Sequence, residues 1–157
     1  MGFTLFFFVA WLIVAVFIII KETLSITENT FVFLIILIIN INWSWIMYEE
    51  LKLVKVTESP IDYTAFLLFR SIIIPMVIVV QLNLIERTKI FAKKFLVSIG
   101  SLSLLLLLTA ANVFLDITSW VNWNLAYDAL YFVVLHIIAV YLTKFYRKTS
   151  SSEVNYS

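Results

Sequence analysis

The chain has 157 residues, 63% of them hydrophobic and only 13% charged, with a formal net charge of +1 and a mean hydropathy of +1.05. A water-soluble domain of this composition would aggregate through its exposed apolar surface, so the balance excludes that class. The absence of cysteine excludes disulfides, thiolate nucleophiles and thiolate metal sites, and no basic block is dense enough to suggest nucleic acid.

Five apolar runs, at residues 3–20, 31–47, 63–84, 95–115 and 125–143, take up most of the sequence. A helix rises about 1.5 Å per residue and needs about 20 residues to cross a hydrocarbon core of about 30 Å, so each run is long enough for one crossing. Only 2 Gly and 2 Pro occur, which favours uninterrupted helices whose backbones satisfy their own hydrogen bonds in lipid. Runs such as Leu104–Leu108 are apolar on every face, whereas the strands of a membrane barrel alternate. The predicted fold is all-α, a polytopic membrane bundle of five transmembrane helices in one domain, 1–148, followed by a polar, disordered tail at 149–157.

The first run has no basic segment before it and no small-residue cleavage pattern before Lys21, so it reads as a retained span. Gly2 is followed by Phe6 where a myristoylation signal needs Ser or Thr. Ser25 and Glu28 have capping-box spacing ahead of span two. Beyond that span, Glu50–Val56 retains enough apolar character to lie on the membrane surface or to extend a helix. Ser59, Pro60 and Asp62 supply a cap, a first-turn proline and an early carboxylate for span three. Pro75, inside that span, removes one backbone donor and predicts a kink. The small residues Ser98, Gly100, Ser101 and Ser103 predict close helix packing at the start of span four. Asn122 or Asn124 caps span five.

Lys and Arg are retained on the cytoplasmic side of a membrane. Lys21 follows span one, Arg87, Lys89, Lys93 and Lys94 follow span three, and Lys144, Arg147 and Lys148 follow span five, all on one side. The other side has Lys52 and Lys55 diluted by Glu49, Glu50, Glu58 and Asp62. The N-terminus is therefore predicted outside and the C-terminus in the cytoplasm, with the basic residues as topology anchors and contacts to anionic lipid. Trp43, Trp45, Tyr48, Trp120, Trp123 and Tyr127 then form an aromatic belt at the outer interface. Short connectors predict an up-and-down bundle in which sequential spans are neighbours.

A lone charge at the bilayer centre costs at least about 2.5 kcal/mol, so polar residues inside spans are the functional candidates. Arg70 lies about seven residues into span three, or roughly 10 Å deep. Asn40, Asn42, Asn112, Asp116, Asp128 and Tyr131 fall at similar depths and predict an outward-facing polar pocket. Within it Arg70 would pair with Asp116 or Asp128, which either fixes helix packing or binds a small anion. His136, the single histidine, sits mid-span and suits an interhelical hydrogen bond or a proton relay, and cannot make a metal site alone. No nucleotide fingerprint, metal-ligand spacing or catalytic constellation is present, so no enzyme, metal or cofactor is expected.

The order of an L-S-x-x-E-like start to span two, a third-span proline in Arg70–Pro75, a Lys-rich inner turn, and Trp123–Leu125 opening a helix that ends Lys144–Lys148 resembles small five-span membrane proteins of spore-forming Firmicutes. The resemblance implies a bacterial plasma membrane and supplies no function. Three readings follow. The first is an accessory or immunity-type subunit packing against a larger membrane partner; the second is a small transporter or solute-binding protein, as a homo-oligomer; the third is an intramembrane enzyme using Asp116, Asp128 or His136. The first is the expectation.

Overall fold

In this computed structural model the chain is described over residues 1–20 and 23–154, with side chains described as far as Ser150. Lys21 and residues 155–157, where part of the charge argument and the end of the expected tail fall, lie outside the described residues. Among the described residues five helices are long and apolar enough to cross a membrane, and the chain is a multi-pass helical bundle.

Helix α1 is Gly2–Ile19 and α2 is Ile26–Trp45, the latter continuing as a π-helical turn over Ile46–Glu50. Span three comprises α3 (Pro60–Leu68), a π turn (Phe69–Ile73) and α4 (Ile74–Arg87). Helix α5 is Phe91–Phe114 and α6 is Leu125–Val154. Two of the predicted starts are visible as bonds, whereas Ser59 precedes Pro60 at the start of α3 without a side-chain cap bond. At α2 Ser25 Oγ accepts from the Glu28 N–H, and the Ser25 N–H donates to Glu28 Oε2. Asn124 Oδ1 caps α6 by accepting from the backbone N–H groups of Ala126 and Tyr127. Helix α6 runs past the expected end of the last span, so the tail is helical as far as Val154.

Span three is the centre of the bundle, with 61% of its most apolar window buried against 22–28% for the other four. Helix α1 packs mainly on α3 rather than on its sequence neighbour α2, which corrects the expected order. Helix α2 packs on α4 and α6, while α5 packs on α4 and α6. Phe6, Ile36, Ile73, Ile78, Leu105 and Leu135 are fully buried in this core. Burying one such side chain is worth about 1.5–3 kcal/mol in water, but lipid is itself apolar, so inside the membrane close packing and polar bonds hold the helices instead.

The segment expected to lie on the membrane or extend a helix does neither beyond Glu50. It forms β1 (Val54–Val56), antiparallel to β2 (Thr118–Trp120), with Val54 opposite Trp120 and Val56 opposite Thr118. The Leu53 carbonyl and Thr57 N–H extend this pairing to Val121 and Ile117. Each strand follows, two residues on, a residue with left-handed backbone, Lys52 (φ 49°) or Asp116 (φ 55°). Sequence periodicity misses so short a ribbon because three residues carry no readable alternation. Its position ties the second and fourth connectors together over the end of the bundle that the charge rule predicts to be outer.

Opposite lies the basic end, inner by the charge rule. There Arg147 Nε bonds Glu28 Oε1 at 2.6 Å and Arg147 Nη1 bonds Glu86 Oε2 at 3.0 Å, joining α2, α4 and α6. Beside them Asn83 donates to Asn29 Oδ1 and accepts from the Thr23 and Leu24 N–H groups. Arg147 is therefore a structural clamp as well as a basic residue at the predicted cytoplasmic face.

Candidate functional site

The outer third of the bundle encloses a cavity of about 50 Å³, whose lining includes Asn40, Tyr48, Arg70, Thr109, Asp128 and Tyr131. A second of about 20 Å³ shares Tyr48, Phe66, Phe69, Thr109 and Asp128 with it and adds Asn112. The two adjoin through these shared walls, and the pair, together the chamber, lies between α2, span three, α5 and α6. Val54 of β1 lines both and is 5% exposed, so the ribbon roofs the chamber.

Span three shapes this site through its π turn. The Ile74 N–H bonds the Phe69 carbonyl five residues back, and the next donor in that series would be residue 75. Proline has no N–H, which leaves the Arg70 carbonyl without its helical donor. Asn40 Nδ2 fills that acceptor at 2.5 Å from α2. Asn40 Oδ1 in turn accepts from Tyr131 Oη on α6 at 2.7 Å, so one buried amide ties three helices together. The ring of Tyr131 stacks on Trp43 at a centroid distance of 4.7 Å and an angle of 6°. The expected distortion of span three is thus a π turn immediately ahead of Pro75.

The predicted residues divide. Asn40, Arg70, Asn112, Asp128 and Tyr131 all line the chamber. Asp116 and Asn42 do not: both are exposed, Asp116 in the left-handed turn after α5 and Asn42 bonded back to the Ile38 carbonyl. His136 belongs to a different, mid-membrane group. The expected ion pair of Arg70 with Asp116 or Asp128 does not form among the described residues. Asp128 instead accepts from Trp123 Nε1 through Oδ1 at 3.0 Å, while the Arg70 guanidinium carbon lies 5.3 Å from the Phe66 ring centroid. The predicted belt is therefore only partly a lipid interface: Trp45 and Tyr127 are exposed, whereas Trp43 and Trp123 are turned into the wall of the site.

Three buried polar atoms of this chamber have no hydrogen-bond partner in the protein: Arg70 Nε, Asp128 Oδ2 and Asn112 Oδ1. One donates and two accept. A fourth such atom, Gln81 Oε1, belongs to the groove between α5 and α6, whereas in the inner network Asn83 bonds Asn29 and Glu28 bonds Arg147.

At mid-membrane His136 Nδ1 lies 2.6 Å from the Phe132 carbonyl and Nε2 lies 2.8 Å from Ser101 Oγ. Gln81 Nε2 donates to Ser98 Oγ at 3.2 Å. The small residues of α5 therefore serve polar bonds, and Gly100 faces open space with nothing within 4 Å of a Cβ built there, in place of the predicted tight crossing. Gln81, Ser98 and His136 line an apolar groove of about 400 Å³ between α5 and α6.

The roles of Gln81, Ser101, Thr109, Tyr48 and Arg147 escape sequence reasoning. A signal for Gln81 and Asn83 is present, two carboxamides inside an apolar run, but which side chain each meets is set by helix rotation: Gln81 meets Ser98 on the next helix, and Asn83 meets Asn29, 54 residues away. Among the described residues no group of three His, Asp or Glu side chains is placed to hold a metal ion. No protein-family model, curated protein or solved structure matches the chain.

Proposed function

We propose that this multi-pass membrane protein is a non-enzymatic accessory subunit, of immunity type, that acts in a bacterial plasma membrane by packing against a larger membrane partner. The observation that carries the reading is an apolar layer across the bundle. Ile36, Ile73, Ile78, Leu105 and Leu135 are each 0% exposed, and on each helix they lie between the chamber residues and the polar residues nearer the inner end. A polar solute crossing that layer would lose its hydration and meet no polar partner. The single bundle is therefore poorly suited to transport, which favours the accessory reading over a transporter. Of the two acid or base candidates inside the spans, Asp128 lies in the chamber and His136 in the groove, so they do not act on one substrate as a pair.

Gentle detergent purification of tagged protein from its native membrane, with mass spectrometry of what co-elutes at constant stoichiometry, tests the reading. A larger membrane protein retained through size-exclusion chromatography is the expected result. A chain that elutes alone, or only with copies of itself, overturns it.

A further inference from the structure

The outer chamber has a chemistry of its own, independent of any membrane partner. Arg70 Nε, Asp128 Oδ2 and Asn112 Oδ1 are buried, lack protein partners, and belong to residues lining the same pair of adjoining cavities. Asn112 is 1% exposed; one of its two amide N–H donors is bonded to the Leu108 carbonyl, while its Oδ1 has no partner. Buried polar atoms are normally satisfied, and three without partners around one chamber mark a place where something else bonds them.

We propose that the chamber is a binding site for a small zwitterion, an ammonium and an anionic oxygen a few bonds apart, of the size of glycine or alanine. The guanidinium of Arg70 donates to the carboxylate. The ammonium donates to Asp128 Oδ2 and Asn112 Oδ1. Because one fixed cation and one fixed anion line the chamber without pairing, a ligand carrying both charges leaves the site neutral, whereas a lone anion would face the Asp128 carboxylate uncompensated. This disfavours the small-anion role expected for Arg70. Volumes of about 50 and 20 Å³ admit a few heavy atoms and no bulky side chain. The Trp123 bond to Asp128 Oδ1 orients the carboxylate and leaves its other oxygen to the ligand. The same chemistry occurs in the headgroup of an ethanolamine phospholipid, so the free and lipid-borne sources are separated by experiment.

Equilibrium binding of radiolabelled glycine to the full chain in phosphatidylcholine nanodiscs tests the site. Saturable binding with a Kd of about 1 mM or tighter is expected, weakened at least about tenfold by Arg70→Gln and by Asp128→Asn. Thr109→Leu keeps every charge and fills the chamber with carbon, and it is expected to abolish binding while helix content and the unfolding transition are retained. Alanine competes, and acetate or methylammonium alone competes weakly. Displacement of glycine by phosphatidylethanolamine nanodiscs supports the site with lipid as its source; no displacement supports a free solute. Absence of saturable binding up to about 10 mM, binding unchanged in the folded Thr109→Leu protein, or acetate competing as well as glycine overturns the proposal.

Discussion

The side-chain amide of Asn40 on α2 donates to the main-chain carbonyl of Arg70 on span three, taking the place of the N–H that Pro75 lacks. A proline in one span and an asparagine in another, 35 positions apart by their numbers, are thus two halves of one device. The carbonyl would otherwise be unsatisfied where no water replaces the missing donor.

Asn40→Leu is expected to cost about 1–3 kcal/mol, because the Arg70 carbonyl and the Tyr131 hydroxyl both lose a partner in an apolar interior. Pro75→Ala restores a backbone N–H that can reach that carbonyl. The penalty of Asn40→Leu should therefore shrink by about 0.5–1.5 kcal/mol in the Pro75→Ala background. A double-mutant cycle of reversible unfolding in mixed detergent micelles measures this coupling, and strict additivity would separate the two residues.

Arg147 clamps Glu28 and Glu86 with a side chain that is 43% exposed, so solvent screens part of the attraction. Arg147→Gln is expected to cost about 1–2 kcal/mol, above an ordinary surface pair because the Glu28 side chain is only 10% exposed and loses its cation. Arg147→Lys should recover part of this, since a point charge cannot serve both carboxylates in the fork geometry. Raising salt should narrow the stability gap between the wild-type protein and the Arg147→Gln variant. Equal stability of the two at low salt, measured by denaturant unfolding, would show that the clamp contributes nothing.

Five helices long and apolar enough to cross a membrane, and the caps at Ser25 and Asn124, were legible because length, apolarity and capping spacing are local properties. The Ser59 cap did not form because spacing alone does not set the side-chain rotamer. The gathering of Asn40, Arg70, Asn112, Asp128 and Tyr131 was legible too, since equal depth on different spans is countable from the chain. What was not legible is direction around each helix. Asp116 and Asn42 share that depth but face outward, and Asp116 sits in a turn whose left-handed backbone leads into the tertiary pairing of the ribbon. The packing of α1 on α3 and the pairing of β1 with β2 join segments remote in sequence, where periodicity carries no information.

The role of Asp116 is accordingly conformational. At φ 55° a short polar side chain is tolerated and a β-branched one clashes with its own backbone. Asp116→Gly should leave stability unchanged or raise it slightly, whereas Asp116→Val should lower it by about 1–2 kcal/mol. Thermal unfolding of the two variants decides between this role and the charge-pairing role, in which both substitutions would be equally harmful.

His136 supplies the last prediction, from the partners of its two ring nitrogens. The Phe132 carbonyl can only accept, so Nδ1, 2.6 Å away, must carry a proton. In a neutral ring Nε2 then accepts, and the Ser101 hydroxyl 2.8 Å from it is the donor. That hydroxyl has one proton and also lies 3.0 Å from the Ser98 carbonyl, so it serves the ring only by giving up the backbone acceptor. The ring is expected as the Nδ1–H tautomer, read from the nitrogen-15 shifts of labelled protein in lipid. Ser101→Ala should cost about 0.5–1.5 kcal/mol by leaving Nε2 without its donor, while the Phe132 bond holds the Nδ1 proton in place. A ring found protonated at Nε2 alone would contradict the geometry at both nitrogens.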